Sequence, residues 1–232
     1  MICLAIDVSG RALSGALALS QPPGLAGEFC LDTGKNHSLA LLPMVDALLA
    51  NCGLTLSAVD AFSVTLGPGS FTGLRIGLAT VKAWCDGLDK PAVGVSSTEA
   101  MARAIDHPGL VCPVFDARRS EVYAALFRDG QRLSEDLALA PAALADLLDG
   151  YAEPVTFGGD GLAPWEDELR QRLGSRFRAV APERRLNMAA AAAMIGLERL
   201  ERGELTPAAE LLPVYLRLSE AEEKLLQRQG RG

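Results

Sequence analysis

Residues 67–77, GPGSFTGLRIG, set glycines at 67, 69, 73 and 77 between a strand-like run and a helix-like run. A strand, tight turn and helix N-terminus in succession present free backbone N–H groups, and with Ser70 or Thr72 as cap they form a generic anion cradle. A Walker-type phosphate loop needs Lys and then Ser or Thr after its last glycine, whereas Gly73 is followed by Leu74 and Arg75. The dinucleotide-binding glycine spacing fails too. The loop is therefore either an anion cradle or a tight chain reversal built from Gly and Pro.

Other reactive side chains are sparse. The two histidines, His37 and His107, lie far apart, and neither has a neighbouring acidic motif that would make it an oriented base for acyl transfer. Five cysteines (Cys3, Cys30, Cys52, Cys85, Cys112) show no CxxC spacing, which argues against a disulfide framework or thiolate zinc site and for buried free thiols in a reducing compartment. The net charge of −7 gives no general attraction to nucleic acid, so contact with RNA must be local or made by a partner. Arg118 and Arg119 fall in a polar turn, and Arg170, Arg172, Arg176, Arg178, Arg184 and Arg185 make residues 170–185 locally basic. That region is either a solvated face balanced by Glu166, Asp167, Glu168 and Glu183 or a local nucleic-acid contact.

The elements that hold these residues follow from pattern. Ile2–Ile6 is a short β-prone run ending at Asp7, and Ala12–Leu19 returns as the second arm of a hairpin. The same shape recurs in VCPVFDARRSEVYAALF, where Asp116 takes the place of Asp7 and Ala124-Ala125-Leu126 falls opposite Gly15-Ala16-Leu17, a faint internal repeat. Between the hairpins the pattern predicts a helix over Ser38–Asn51, a buried strand over Ala61–Leu66 and a helix from Thr72 to about Asp86. Later, Pro141 opens a helix running to Leu148, PVTF is a strand ending at GGDG, and Asn187 caps a helix ended by Gly203. Alternating strands and helices indicate an α/β fold. The linker-like IDHPG divides the chain into lobes, 1–104 and 105–232, and the QRQGRG tail reads as mobile. With 49% hydrophobic residues and no apolar run long enough to span a bilayer, the chain reads as a soluble protein without an export signal.

Two helices carry more apolar surface than one lobe requires. In SLALLPMVDALLAN, Leu41, Leu42, Val45, Leu48 and Leu49 form a core stripe while Ala40, Met44 and Ala47 form a second apolar side; such a helix is either deeply buried or covered by a partner. In the helix after the glycine loop, Leu74, Leu78, Val81 and Cys85 face the core, and Gly73, Gly77, Thr80 and Trp84 form another stripe. Glycine inside a helix costs roughly 1 kcal/mol relative to alanine, so two on one face point to close approach by another backbone.

GPGSFTGLRIGLATVKAW, together with HSLALLPMVDALL, FDARRSEVYAALF, FGGDG and PVYLR, resembles the bacterial TsaB family (formerly YeaZ), partners in making threonylcarbamoyladenosine on tRNA. The resemblance spans residues 2–217. It implies an actin-like or Hsp70-like ATPase fold (ASKHA, ribonuclease H-like) of two related lobes. It also implies that the helices beginning at Ser38 and Thr72 form the surface used for homodimers and, competitively, for the catalytic paralogue TsaD. On that reading Ala40, Met44, Ala47, Gly73, Gly77, Thr80 and Trp84 form the interface, with Met44 and Trp84 as apolar anchors. The implied role is a cytoplasmic, non-catalytic scaffold that supports TsaD, recruits the ATPase TsaE and reaches tRNA mainly through the complex, for tRNAs that decode codons beginning with A. No cofactor, metal or membrane is implied.

The departures from active members of that superfamily bear on the rival reading, a nucleotide-binding phosphohydrolase or kinase. Asp7 is followed by Val8 and Ser9, a poorer phosphate turn than a glycine-rich one, and the HxxxH metal pair of TsaD-like enzymes is missing. His37 is expected in a capping or loop role. Asp7, Asp116 and Asp160 are either vestiges of a magnesium-nucleotide site or turn residues, and the turn role is preferred. A peptidase, the activity suggested by the older family name, has neither HExxH nor a nucleophile elbow behind it.

Overall fold

The first hairpin pairs β1 (Ile2–Asp7) with β2 (Leu13–Ser20) antiparallel, Asp7 facing Ser14. β3 (Pro23–Leu31) extends it, followed by α1 (His37–Asn51), β4 (Ala61–Gly67), α2 (Phe71–Leu88), β5 (Ala92–Ser96) and α3 (Ser97–Ile105). The second half repeats the plan with β6 (Leu110–Asp116), β7 (Val122–Ala124), the short β8 (Phe127–Arg128) and β9 (Gln131–Arg132), and β10 (Leu137–Leu139). It continues with α4 (Pro141–Leu148), β11 (Val155–Gly158), α5 (Glu166–Leu173), β12 (Phe177–Ala179) and α6 (Ala189–Glu201). This computed structural model describes residues 1–32 and 36–217, so the QRQGRG tail lies outside the described residues.

The internal repeat is a duplication of a whole sheet. The first sheet runs β3-β2-β1-β4-β5 and the main path of the second runs β10-β7-β6-β11-β12. In each, the first strand is antiparallel to the second and parallel to the fourth. The register differs by one from the alignment read in the sequence. Gly15 pairs with Ile6 and Tyr123 with Phe115, so Gly15 corresponds to Tyr123, because the turn after Asp116 is one residue shorter than the turn after Asp7.

Alternation along β1 explains the layers. Leu4, Ile6 and Val8 join the core under α1 and α2, while Cys3 and Ala5 join the core shared with α3 and α6. That inner core also takes Val111, Phe115 and Tyr123 from the second sheet, and a third core lies between that sheet and α4 and α5. The linker 106–109 separates the sheets, yet a cut at residue 104 does not describe the packing. α6 comes from the second half and buries Ala189, Ala192 and Ala193 in the core that holds Cys3, Ala5, Ala16 and Ala18 of the first sheet.

The N-cap of α6 is Met188, which makes no side-chain cap bond, so Asn187 does not cap it, and the helix ends at Glu201 with Gly203 two residues further on at φ 72°. Small residues let α6 sit close. Ser63 Oγ donates to the Ala192 carbonyl at 2.9 Å, and a Cβ added at Gly196 would stand 2.8 Å from Cys3 Sγ. Gly196→Val is therefore expected to lower the unfolding free energy by about 2 kcal/mol in urea titrations, and an unchanged midpoint would contradict this packing.

Candidate functional site

The glycine loop lies on the turn that follows β1. Ser70 N–H donates to the Ser9 carbonyl at 2.7 Å, and a Cβ on Gly69 would overlap that same carbonyl. Ser70 is the N-cap of α2, its Oγ accepting from Gly73 N–H at 3.2 Å. A Cβ on Gly73 would overlap the Val8 carbonyl, and one on Gly77 would come within 2.5 Å of Val8 Cγ2. Gly73 and Gly77, expected from the sequence to receive a partner helix, thus receive the chain's own first turn. The close-approaching backbone is real, but it is intramolecular.

The second half treats its equivalent loop alike. Gly161 N–H donates to the Val114 carbonyl at 3.0 Å, and a Cβ on Gly159 or Gly161 would overlap the backbone at the end of β6. From that loop Asp160 crosses to the first hairpin. Its Oδ2 accepts from Arg11 N–H at 2.7 Å and would lie 2.9 Å from a Cβ on Gly10; its Oδ1 accepts more weakly from Asp116 N–H at 3.4 Å. Burial pushes the Asp160 carboxyl above the ordinary range, and the Arg11 N–H opposes the rise.

Asp7 is fully buried. One oxygen accepts from Ser9 N–H at 3.0 Å, Ser9 Oγ at 2.6 Å and Thr65 Oγ1 at 2.6 Å, and the other has no partner among the described residues. Burial raises this carboxyl as well, against the hydrogen bonds from Ser9 and Thr65. Asp116 is exposed and holds its own turn, accepting from Arg118 N–H at 2.7 Å. The turn role therefore describes Asp7 and Asp116, while Asp160 ties the two halves together. Among the described residues, no group of three His, Cys, Asp or Glu side chains is placed to hold a metal ion.

An outward apolar surface lies on α1. Leu39 is 75% exposed and Leu42 51%. Leu42 was expected in the core, but only Leu41, Val45, Leu48 and Leu49 of that stripe are buried, because the early turns of the helix are left uncovered. Beside Leu39, a groove of about 790 Å³ runs between β3 and α1, lined by Phe29, Leu31, Ala40, Pro43, Met44 and Ala47.

Of the seven predicted interface residues, Ala40, Met44 and Ala47 line this groove. Met44 is only 4% exposed, its Cε close to Gly15, so it anchors α1 to its own sheet. Half-buried Trp84 packs on Phe62 with ring centroids 5.3 Å apart, and the Thr80 hydroxyl donates to the Ile76 carbonyl at 2.8 Å. Leu39, Leu42, Phe29 and Leu31 were missed as surface candidates, since a wholly apolar helix does not reveal which turns its sheet covers.

The sequence profile described as "TsaD: tRNA N6-adenosine threonylcarbamoyltransferase" matches residues 30–155. The Bacillus subtilis tRNA threonylcarbamoyladenosine biosynthesis protein TsaB is 33% identical, the alignment covering 99% of this chain and 100% of that protein. This chain belongs to the TsaB family. The structure of YeaZ from Pseudomonas aeruginosa superposes with a TM-score of 0.76 at 29% identity, covering 93% of this chain and 99% of that one. A Bacteroides thetaiotaomicron protein described as having an actin-like ATPase fold superposes at 0.50 with 11% identity, covering 84% of this chain and 95% of that one, a likeness of fold alone. The chain is thus a two-lobed α/β protein of the actin-like class.

In this TsaB-family chain the histidines stabilise turns. His37 opens α1, with Asn36 as the N-cap, and its Nε2 lies 3.2 Å from the Arg11 carbonyl; His107 Nδ1 lies 2.7 Å from the Pro108 carbonyl. The basic stretch is largely paired internally. Arg170 and Arg185 bind Glu166, Arg172 binds Asp146, Arg176 binds Asp149, and Arg184 donates to the Ala104 and Ile105 carbonyls. Glu166 is held below its usual range chiefly by the Arg185 hydrogen bond.

Gly73→Ala is expected to lower stability by about 2 kcal/mol or more in chemical denaturation; a neutral effect would mean that the loop does not rest on Val8. Asp7 and Asp160 bind protons more tightly folded than unfolded, so their contribution is full below the ordinary carboxyl range and is lost as pH rises through their raised values. Asp7→Asn should flatten that decline in a urea series across pH, whereas an unaltered slope would assign it elsewhere.

Proposed function

We propose that this chain is a non-catalytic subunit of the machinery that forms threonylcarbamoyladenosine on tRNAs decoding codons that begin with A, and that it docks its catalytic homologue TsaD through α1 and α2. The observation that carries the reading is the bare apolar rim of α1, where Leu39 and Leu42 stand exposed beside the groove under Ala40 and Ala47. The TsaD profile covers residues 30–155, which include α1 and α2. A homologous partner therefore has an equivalent helix pair to offer, and a heterodimer can copy the geometry of a two-fold homodimer. The same surface serves a second copy when TsaD is absent, so the two assemblies exclude one another.

TsaE joins the assembled pair, and tRNA is reached mainly through the complex, in the cytoplasm. The contacts at the ends of β1 and β6 support the non-catalytic role, because Ser70 N–H is spent on Ser9 and the Asp160 carboxylate sits on Arg11 N–H. Purified chain, TsaD and TsaE should transfer threonylcarbamoyl to tRNA together, and the chain alone should not; transfer by the chain alone, or an unchanged rate on its omission, overturns the role.

Leu39→Asp and Ala47→Asp should each weaken homodimer and heterodimer about tenfold or more in sedimentation, with unchanged circular dichroism because both side chains are exposed. Unaltered association would remove α1 from the interface.

A further inference from the structure

Residues 206–217, which include PVYLR, run across the molecule as a strap. Thr206 pairs with Ala92, donating to its carbonyl at 2.8 Å and accepting from Gly94 N–H at 3.2 Å, so the segment covers the outer edge of β5. Leu211 is fully buried in the core under α1 and α2. Val214 N–H then donates to the Leu66 carbonyl at 2.7 Å, and the Val214 carbonyl lies 2.5 Å from where a Cβ on Gly67 would stand. Gly67, at φ 114°, thus leaves room for the strap at the start of the glycine loop.

The next residues grip the first turn of α2. The Tyr215 ring stacks on Phe71 at 4.0 Å and 11°, and Arg75 Nε donates to the Tyr215 hydroxyl at 3.0 Å. Leu216 packs against the core between the sheets. Arg217 reaches the second half, with Nη1 donating to Glu121 Oε2 at 2.7 Å and to the Ala117 carbonyl at 3.4 Å. These two residues bracket Arg118, Arg119 and Ser120, three consecutive non-glycine residues in the left-handed region at φ 64°, 53° and 61°. Such a turn stores strain and persists only where its surroundings hold it.

We propose that the strap is a mechanical link that fixes the first turn of α2 against the basic turn at 118–120, so that the second half sets the orientation of the docking helix. Tyr215 and Arg217 act as positioning residues, one at each end. The consequence for docking rests on the proposed role of α2; the link itself does not.

Hydrogen exchange of the full chain tests the link from both ends. Arg217→Ala should raise exchange at residues 70–74 about fivefold, and Tyr215→Ala should raise it comparably at 118–121, with β11 unaffected. Tyr215→Phe, which keeps the stack and loses the hydroxyl, should return both regions to within about twofold of the parent. Changes confined to the mutated end, or a general rise in exchange with a lowered melting temperature, would overturn the proposal, since either outcome describes ordinary packing. Arg217→Ala should also weaken TsaD association about tenfold. If exchange couples as expected and affinity does not move, docking through α2 fails while the link stands; if neither moves, the link itself fails.

Discussion

Backbone lies directly against backbone where the glycine loop crosses the end of β1. Gly69 and Gly73 meet the carbonyls of Ser9 and Val8 at distances that no side chain permits, and Ser70 closes the contact with a hydrogen bond in each direction along the loop. This single approach fixes where α2 begins and how it inclines to the sheet. It also consumes donor capacity that a phosphate would need, and it creates the ledge at Gly67 on which the strap lies.

Duplication explains why a second glycine loop does the same work at the end of β6, and the differences between the halves locate what is specialised. On the first sheet, the inner face is made of Cys3, Ala5, Ala16 and Ala18, small enough for the alanine-rich α6 to settle closely. On the second sheet the same core receives Phe115, Tyr123 and Phe127, so bulk on one side complements smallness on the other. The two halves are joined by a common core, and the Asp160 contact with Arg11 reinforces the junction.

Surface chemistry follows from what this packing leaves over. The inner faces are filled, and most arginines of 170–185 are paired within the protein, which leaves the early turns of α1 as an apolar surface beside a groove. With a net charge of −7, recognition through an apolar face is physically more natural for this chain than broad attraction to a polyanion.

Much of this was legible in the sequence. Local patterns determined the hairpin ending at Asp7, the strand from Ala61, the helix Pro141–Leu148 and the strand before GGDG, because each is bounded by turn or capping residues acting over a few positions. The glycine at 73 meets a close-approaching backbone, though within the same chain, whereas Gly77 meets the side chains of Val8, Val64 and Ile6. β3, β5, α3 and α5 were not read, since each is nine residues or fewer and owes its state to neighbours in the sheets and cores. Direction was beyond the sequence as well. Only the tertiary structure decided that the glycine stripe faces Val8, that Leu42 is bare while Leu41 is buried, that Asp160 meets the first hairpin and that α6 returns to the first sheet. Periodicity specifies the angle of a side chain about its own helix, but which angle is covered depends on contacts between residues far apart along the chain.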